Sequence, residues 1–213
     1  MHFSRGPNSG VAISEVYLVD DEETVRDAVS ALLHADGLNC RTFASSEDFL
    51  RECAPDVRGC AVFDFRMPEM DGLQLYKEMQ AREYTLPVIF LTAHGDVPLA
   101  VSAMQAGAAD FIEKPFKSQD FLKRIHAALK RDKQKSSLYT RLGKLTPRET
   151  EVANLMAEGL STKAIAGKLG SSAHTVRNQR TSIFRKMNVQ SVVELVRIMN
   201  NPNVDLAPIE SEQ

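Results

Sequence analysis

In the first half of the chain, five polar residues stand where short apolar runs end. Asp20 and Asp21 follow Val-Tyr-Leu-Val, Asp64 follows Cys-Ala-Val-Phe, Thr92 closes Val-Ile-Phe-Leu, and Lys114 follows Asp-Phe-Ile-Glu. Continuous apolar runs of this length mark strands buried on both faces, a pattern that belongs to parallel sheets. A parallel sheet lines up all its carboxyl ends on one edge, where open α/β folds bind ligands. The spacing therefore predicts three carboxylates, a hydroxyl and an ammonium gathered at one rim. Each residue alone reads as a polar cap on a strand. All five on one edge read as a site for a hard divalent cation and a phosphoryl group.

Charge divides the chain as sharply as pattern does. Residues 1–130 carry 13 Lys/Arg against 20 Asp/Glu, a balance of −7, whereas residues 131–213 carry 13 against 8, a balance of +5. An acidic half joined to a basic half predicts that only the second half meets nucleic acid. Cys40, Cys53 and Cys60 are odd in number and lack metal-ligand spacing, so reduced buried thiols and a cytoplasmic location are expected. No apolar stretch approaches ~20 residues, and the N-terminus lacks a signal-peptide core, so no membrane partner is expected.

Residues 1–14 read as a disordered leader. From 15 to 130 strand and helix alternate five times, with strands at 15–19, 39–43, 59–63, 87–92 and 109–113. Helices are expected near 23–35, 46–53, 72–82, 97–106 and 119–130, with Gly37 and Gly107 as C-terminal caps. Five β/α units predict a doubly wound, five-stranded parallel sheet of the flavodoxin-like class. Residues 131–144 break the alternation and read as a polar linker or a solvated extension of the preceding helix. Residues 145–200 show no strand signal. Thr146-Pro147-Arg148-Glu149 forms a capping box with proline at the first helical position, and four helices follow, the third over about 173–187. Residues 201–213 read as a flexible tail.

The carboxylates carry the chemistry of the first half. Asp64 opens a loop fixed by Pro68 and Gly72. A carboxylate beside Mg²⁺ can attack a phosphoryl donor and become an acyl phosphate. Asp20 or Asp21 with Asp64 would supply the metal's oxygens, Lys114 a point charge for phosphate and Thr92 a hydroxyl. Residues 15–130 resemble the receiver domain of two-component response regulators. The stretches Thr92-Ala93-His94-Gly95-Asp96-Val97-Pro98 and Phe111-Ile112-Glu113-Lys114-Pro115-Phe116 are especially similar to the FixJ-type subgroup. The resemblance implies that Asp64 is the phosphoacceptor and that Asp20 and Asp21 are the acidic metal pair. It further implies that the Phe65 backbone carbonyl is a metal ligand and that Thr92 and Lys114 sense the phosphate. Phe111 falls at the aromatic switch position, and the Lys114–Pro115 bond is expected to be cis. A phenylalanine in a strand is more often plain core, which stays open for Phe111. His94 and His126 read as surface residues.

In the second half, two helices joined by Leu169-Gly170-Ser171-Ser172 make a helix-turn-helix candidate. Val176, Ile183, Phe184 and Met187 recur at helical spacing and face a core. Arg177, Asn178, Arg180, Thr181 and Arg185 point elsewhere, onto a face that suits a major groove or, equally, a solvated surface that binds protein. The stretch 145–199 resembles the LuxR/NarL-type output domain, through Leu145-Thr146-Pro147-Arg148-Glu149, Gly159-Leu160-Ser161, Thr175-Val176 and Lys186-Met187-Asn188-Val189. The resemblance implies base contacts from Arg177, Asn178 and Thr181. Phosphate contacts are implied from Lys163, Thr175, Gln179, Arg180 and Lys186. Gln179 and Thr181 depart from the commoner histidine and basic residue, so no operator sequence follows.

These expectations describe a regulator switched by phosphorylation from a sensor histidine kinase. When phosphorylated it would dimerise or release its helical half from blocking, bind double-stranded DNA as a homodimer on half-sites about 34 Å apart, and act on RNA polymerase. Two competing readings stay open at this point. One is a phosphohydrolase using an aspartyl phosphate, although Arg66 stands where its acid would be expected and no cap insertion exists. The other is an adaptor whose helical half never touches DNA.

Overall fold

The computed structural model describes residues 15–93 and 97–200. The expected leader, the tail and His94 lie outside the described residues. The chain divides between Asp132 and Lys133 into two compact units.

The first unit alternates strand and helix throughout. Its strands are β1 (Glu15–Val19), β2 (Asn39–Phe43), β3 (Gly59–Asp64), β4 (Val88–Thr92) and β5 (Asp110–Glu113). Its helices are α1 (Glu23–Ala35), α2 (Ser46–Glu52), α3 (Gly72–Ala81), α4 (Val97–Gln105) and the first part of α5 (Ser118–Leu142). All strand pairs are parallel, in the order β2-β1-β3-β4-β5. The order in which the chain lays down its strands reverses between β1 and β3, with every strand still parallel, and that is where doubly wound sheets open a ligand crevice. Two apolar layers cover the sheet, one around Phe49, Phe63 and Phe90, the other around Leu18, Leu33, Ile89 and Phe121. This two-sided burial is why β1, β3 and β4 read as unbroken apolar runs.

Local chemistry sets the ends of the helices. Gly37 and Gly107 adopt φ of +78° and +98° just past α1 and α4, as left-handed C-terminal residues do. Asp71 caps α3 in a reciprocal capping box with Gln74. Gly59, at φ +134°, brings the start of β3 against the Glu15 backbone: a Cβ there would lie 1.9 Å from the Glu15 carbonyl oxygen.

Of the two readings of 131–144, the stretch extends the preceding helix: α5 continues to Leu142, with Asp132 and Leu138 buried rather than solvated. Asp132 is 6% exposed, with its carboxylate on the Gly59 amide at 3.0 Å and on the Arg58 guanidinium at 3.0 Å. Leu138 is buried in the core of the second unit. A helix with apolar or paired residues on its inner face is held by packing, whatever its average polarity.

The second unit contains the end of α5 with α6 (Pro147–Ala157), α7 (Thr162–Lys168), α8 (Ala173–Met187) and α9 (Val192–Asn200). The capping box expected at Thr146 and Glu149 is present, and Ser161 and Ser172 cap α7 and α8 through Ala164 N and Thr175 N. Val176, Ile183 and Met187 are fully buried against Val152, Met156, Ile165 and Leu195, with Phe184 partly buried beside them.

Candidate functional site: a carboxylate rim and an exposed helix

Register places the rim residues level with one another. Val19 pairs with Phe63, so Asp20 sits beside Asp64, and Thr92 pairs with Glu113, so Lys114 follows directly. The Lys114 ammonium joins the two carboxylates, donating to Asp64 Oδ1 at 2.6 Å and to Asp20 Oδ2 at 2.9 Å. The second oxygen of each carboxylate accepts a backbone amide, Arg66 N at 2.7 Å for Asp64 and Glu22 N at 3.0 Å for Asp20. Asp20 is fully buried, whereas the Asp64 side chain keeps 13% exposure at the rim. Asp64 is therefore the carboxylate an incoming donor can reach.

Burial lifts the Asp64 carboxyl above its ordinary pKa, and the Lys114 ammonium and the Arg66 amide offset this only in part. Burial also works against the charge on Lys114, but its bonds to Asp64 and Asp20 outweigh that and hold its pKa above the usual lysine value. Lys114 thus stays cationic, and the site presents one fixed positive charge between two hard oxygen donors. The Lys114–Pro115 bond is cis.

Thr92 is buried at the end of β4, its hydroxyl directed at the Ile112 carbonyl at 3.5 Å, and its own carbonyl accepts from Lys114 N at 2.7 Å. Asp21 is exposed, and among the described residues no group of three His, Cys, Asp or Glu side chains stands close enough to hold a metal. The Phe65 carbonyl, expected as a metal ligand, accepts from Gly72 N at 3.2 Å at the start of α3, which occupies one of its two lone pairs. Phe111 is not core: it is 36% exposed on β5, and Leu99, Val101 and Met104 of α4 are exposed as well. His126 pairs with Asp36 at 2.6 Å. The three cysteines are free, and burial pushes the Cys40 and Cys53 thiols up to about 11 and Cys60 higher still, as inert structural thiols behave.

One rim residue escaped the reading of the sequence. Arg26, on the second turn of α1, donates through Nη1 to the carbonyls of Asp20 at 2.7 Å and Asp21 at 2.9 Å. It fixes the backbone that carries both acidic side chains. The signal was an arginine five residues beyond an acidic pair, on the helix that the pair opens.

In the second unit Lys163, Thr175, Arg177, Asn178 and Thr181 are exposed. The Thr175 hydroxyl shares a 2.8 Å bond with the Ser172 cap, Asn178 Nδ2 lies 3.3 Å from His174 Nε2, and Thr181 Oγ1 donates to the Arg177 carbonyl at 3.2 Å. Gln179 and Arg180 are half-buried, with Arg180 donating to Thr162 Oγ1 at 3.1 Å. Lys186 differs from the rest, because its ammonium is held inside the unit by Glu149.

Comparison with known proteins supports both halves. Residues 16–126 match the response regulator receiver domain, and residues 143–199 match the bacterial regulatory proteins of the luxR family. The transcriptional regulatory protein FixJ of Azorhizobium caulinodans is 40% identical over 190 residues, covering 86% of this chain and 90% of that protein. The response regulator protein TodT of Pseudomonas putida is 38% identical over 192 residues, covering 87% and 85%. A full-length crystal structure of FixJ from B. japonicum gives a TM-score of 0.55 at 35% identity, covering 89% of this chain and 97% of that one. A receiver implies a histidine kinase partner, and a luxR-family domain implies DNA binding; a phosphohydrolase is set aside. No helix among the described residues is long and apolar enough to cross a membrane. The chain belongs to the response regulators of two-component systems, as a transcription regulator that joins a receiver to a luxR-type helix-turn-helix domain.

Proposed function

We propose that Asp64 accepts a phosphoryl group from the phosphohistidine of a sensor kinase, and that the aspartyl phosphate controls dimerisation and promoter binding in the cytoplasm. The observation that carries this is the convergence of Asp20 and Asp64 on one ammonium, with only Asp64 reaching solvent. In the transfer, the donor's N–P bond breaks, an Asp64 Oδ–P bond forms, and the electron pair leaves with the imidazole. Asp20, Asp21 and Asp64 are hard oxygen donors of the kind that would hold Mg²⁺ at this rim. When bound, that ion neutralises charge on the transferring phosphoryl group.

The rest of the mechanism belongs to the chain's own side chains. Phosphorylation replaces one carboxylate by a group of about −2 charge with three acceptor oxygens. Lys114 then exchanges its bond to Asp64 for a phosphate oxygen, and the Thr92 hydroxyl turns from Ile112 to another. Phe111 moves from its exposed position towards the space beside Thr92. The exposed apolar residues Leu99, Val101 and Met104 of α4 pair with those of a second copy. Two α8 helices then meet successive major grooves, where Arg177, Asn178 and Thr181 read bases while Lys163, Thr175, Gln179 and Arg180 hold phosphates. RNA polymerase is the downstream partner.

The test is retention of the full chain on duplexes selected from a random pool, before and after treatment with a small acyl-phosphate donor and Mg²⁺. Affinity is expected to rise on phosphorylation and to fall steeply with salt. Salt-independent retention in both states would leave the adaptor reading instead. A second expectation concerns Arg26. Arg26→Ala should weaken Mg²⁺ binding about tenfold, as loss of residues that orient ligands does, with partial recovery in Arg26→Lys. Titration calorimetry measures both, and an unchanged affinity in Arg26→Ala removes Arg26 from the site.

A further inference from the structure

Glu149 is buried at 6% exposure although it lies in the first turn of α6. Its Oε2 accepts from Lys186 Nζ at 2.5 Å and from Thr146 N at 2.8 Å, and its Oε1 accepts from Ser182 Oγ at 2.6 Å. Ser182 and Lys186 are one turn apart on α8, so a single carboxylate ties the start of α6 to two successive turns of the exposed helix. Burial opposes its charge, but the bonds from Lys186 and Ser182 and the Thr146 amide reverse this and draw its pKa down to about 2.

We propose that Glu149 and Lys186 are positioning residues for DNA recognition: the pair fixes how α8 stands out from α6, and Lys186 contributes no phosphate contact. This rests on the DNA-binding reading above. The Lys186 side chain is 26% exposed against 8% for Glu149. Moving the ammonium out to a phosphate would strand a buried anion among neutral donors, which costs more than a solvated phosphate contact returns. On α8 Arg177 and Asn178 lie about one turn before the anchored Ser182 and Thr181 lies directly before it, so their reach into a groove depends on the angle that the pair sets. Arg180 adds a second tie, to α7 through Thr162.

The salt dependence of binding separates a positioning cation from a phosphate contact. Fluorescence anisotropy of the full chain on a labelled random-sequence duplex, between about 50 and 200 mM salt, gives the slope of log affinity against log salt. Lys163→Ala should lower the slope by about one, as loss of a phosphate contact does. Glu149→Gln combined with Lys186→Met, which removes both buried charges, should leave the slope unchanged. Glu149→Gln alone frees the ammonium and should raise the slope by up to about one, while preference for pool-selected duplexes over random ones falls about tenfold. A slope lowered by about one in the double variant, or unchanged in Glu149→Gln, overturns the proposal. If the double variant fails to fold by circular dichroism, Glu149→Gln alone decides. A wild-type chain with no salt-dependent binding sinks the DNA reading, and the proposal with it.

Discussion

Asp64→Asn is expected to take up no phosphoryl group from an acyl-phosphate donor in the presence of Mg²⁺, under conditions where the wild-type chain takes up one. The amide nitrogen cannot attack phosphorus, and the amide oxygen carries no full charge for a cation to share. Neighbouring acids cannot substitute. Asp20 is fully buried, with both oxygens committed to Lys114 and Glu22 N, and exposed Asp21 lies outside the Lys114-bridged pair. The change is nearly isosteric, so the surrounding Phe63 and Phe65 packing stays, and Lys114 keeps Asp20 as its partner. Loss of uptake therefore reports chemistry rather than unfolding. Intact-mass measurement shows the gain of one phosphoryl group, and its release by hydroxylamine identifies an acyl phosphate. Donor-stimulated DNA affinity should disappear in the same variant. Uptake that persists in Asp64→Asn would move the acceptor to another residue and remove the basis for the switch.

Which parts of the molecule could be read in advance follows from what physical signal each part leaves. Strands buried on both faces leave unbroken apolar runs, so β1, β3 and β4 and the rim at their ends were visible from the order of residues. Capping residues leave fixed local patterns, and the Thr146 capping box read from the sequence caps α6. Tertiary pairing leaves no such trace. Lys186 has the composition of a phosphate contact, yet its partner Glu149 is 37 residues away in sequence. Arg26 has the look of a solvated helix residue until its bonds to two backbone carbonyls are seen. The Phe65 carbonyl depends on how the loop to α3 closes, which no side chain announces. Phe111 is exposed although strand phenylalanines are usually core, because β5 lies at the edge of the sheet, where one face is left uncovered.

Asp132 is the sharpest case of the same effect, and its removal should be the most damaging to the receiver among single polar changes. In Arg131-Asp132-Lys133-Gln134-Lys135 it reads as one more solvated charge. In the structure its carboxylate accepts from the amide of Gly59 at the first residue of β3, and its carbonyl and carboxylate both engage the Arg58 guanidinium, at 2.8 and 3.0 Å. This pins α5 to the start of a central strand and explains why the helix does not end where the apolar pattern fades. Asp132→Ala leaves the Gly59 amide buried without its acceptor, a loss of about 1–3 kcal/mol, and strips Arg58 of its anion. Breaking a fully buried pair costs about 3–5 kcal/mol. Arg58 keeps 35% exposure, which screens part of that, so a total near 2–4 kcal/mol is expected. For a domain of this size that lowers the thermal midpoint by roughly 10 °C. Asp132→Asn keeps an acceptor for Gly59 N and should lose about half as much. Calorimetry of the full chain resolves the receiver transition, and a midpoint within about 2 °C of wild type in Asp132→Ala would show that the α5 helix is held by its apolar face alone.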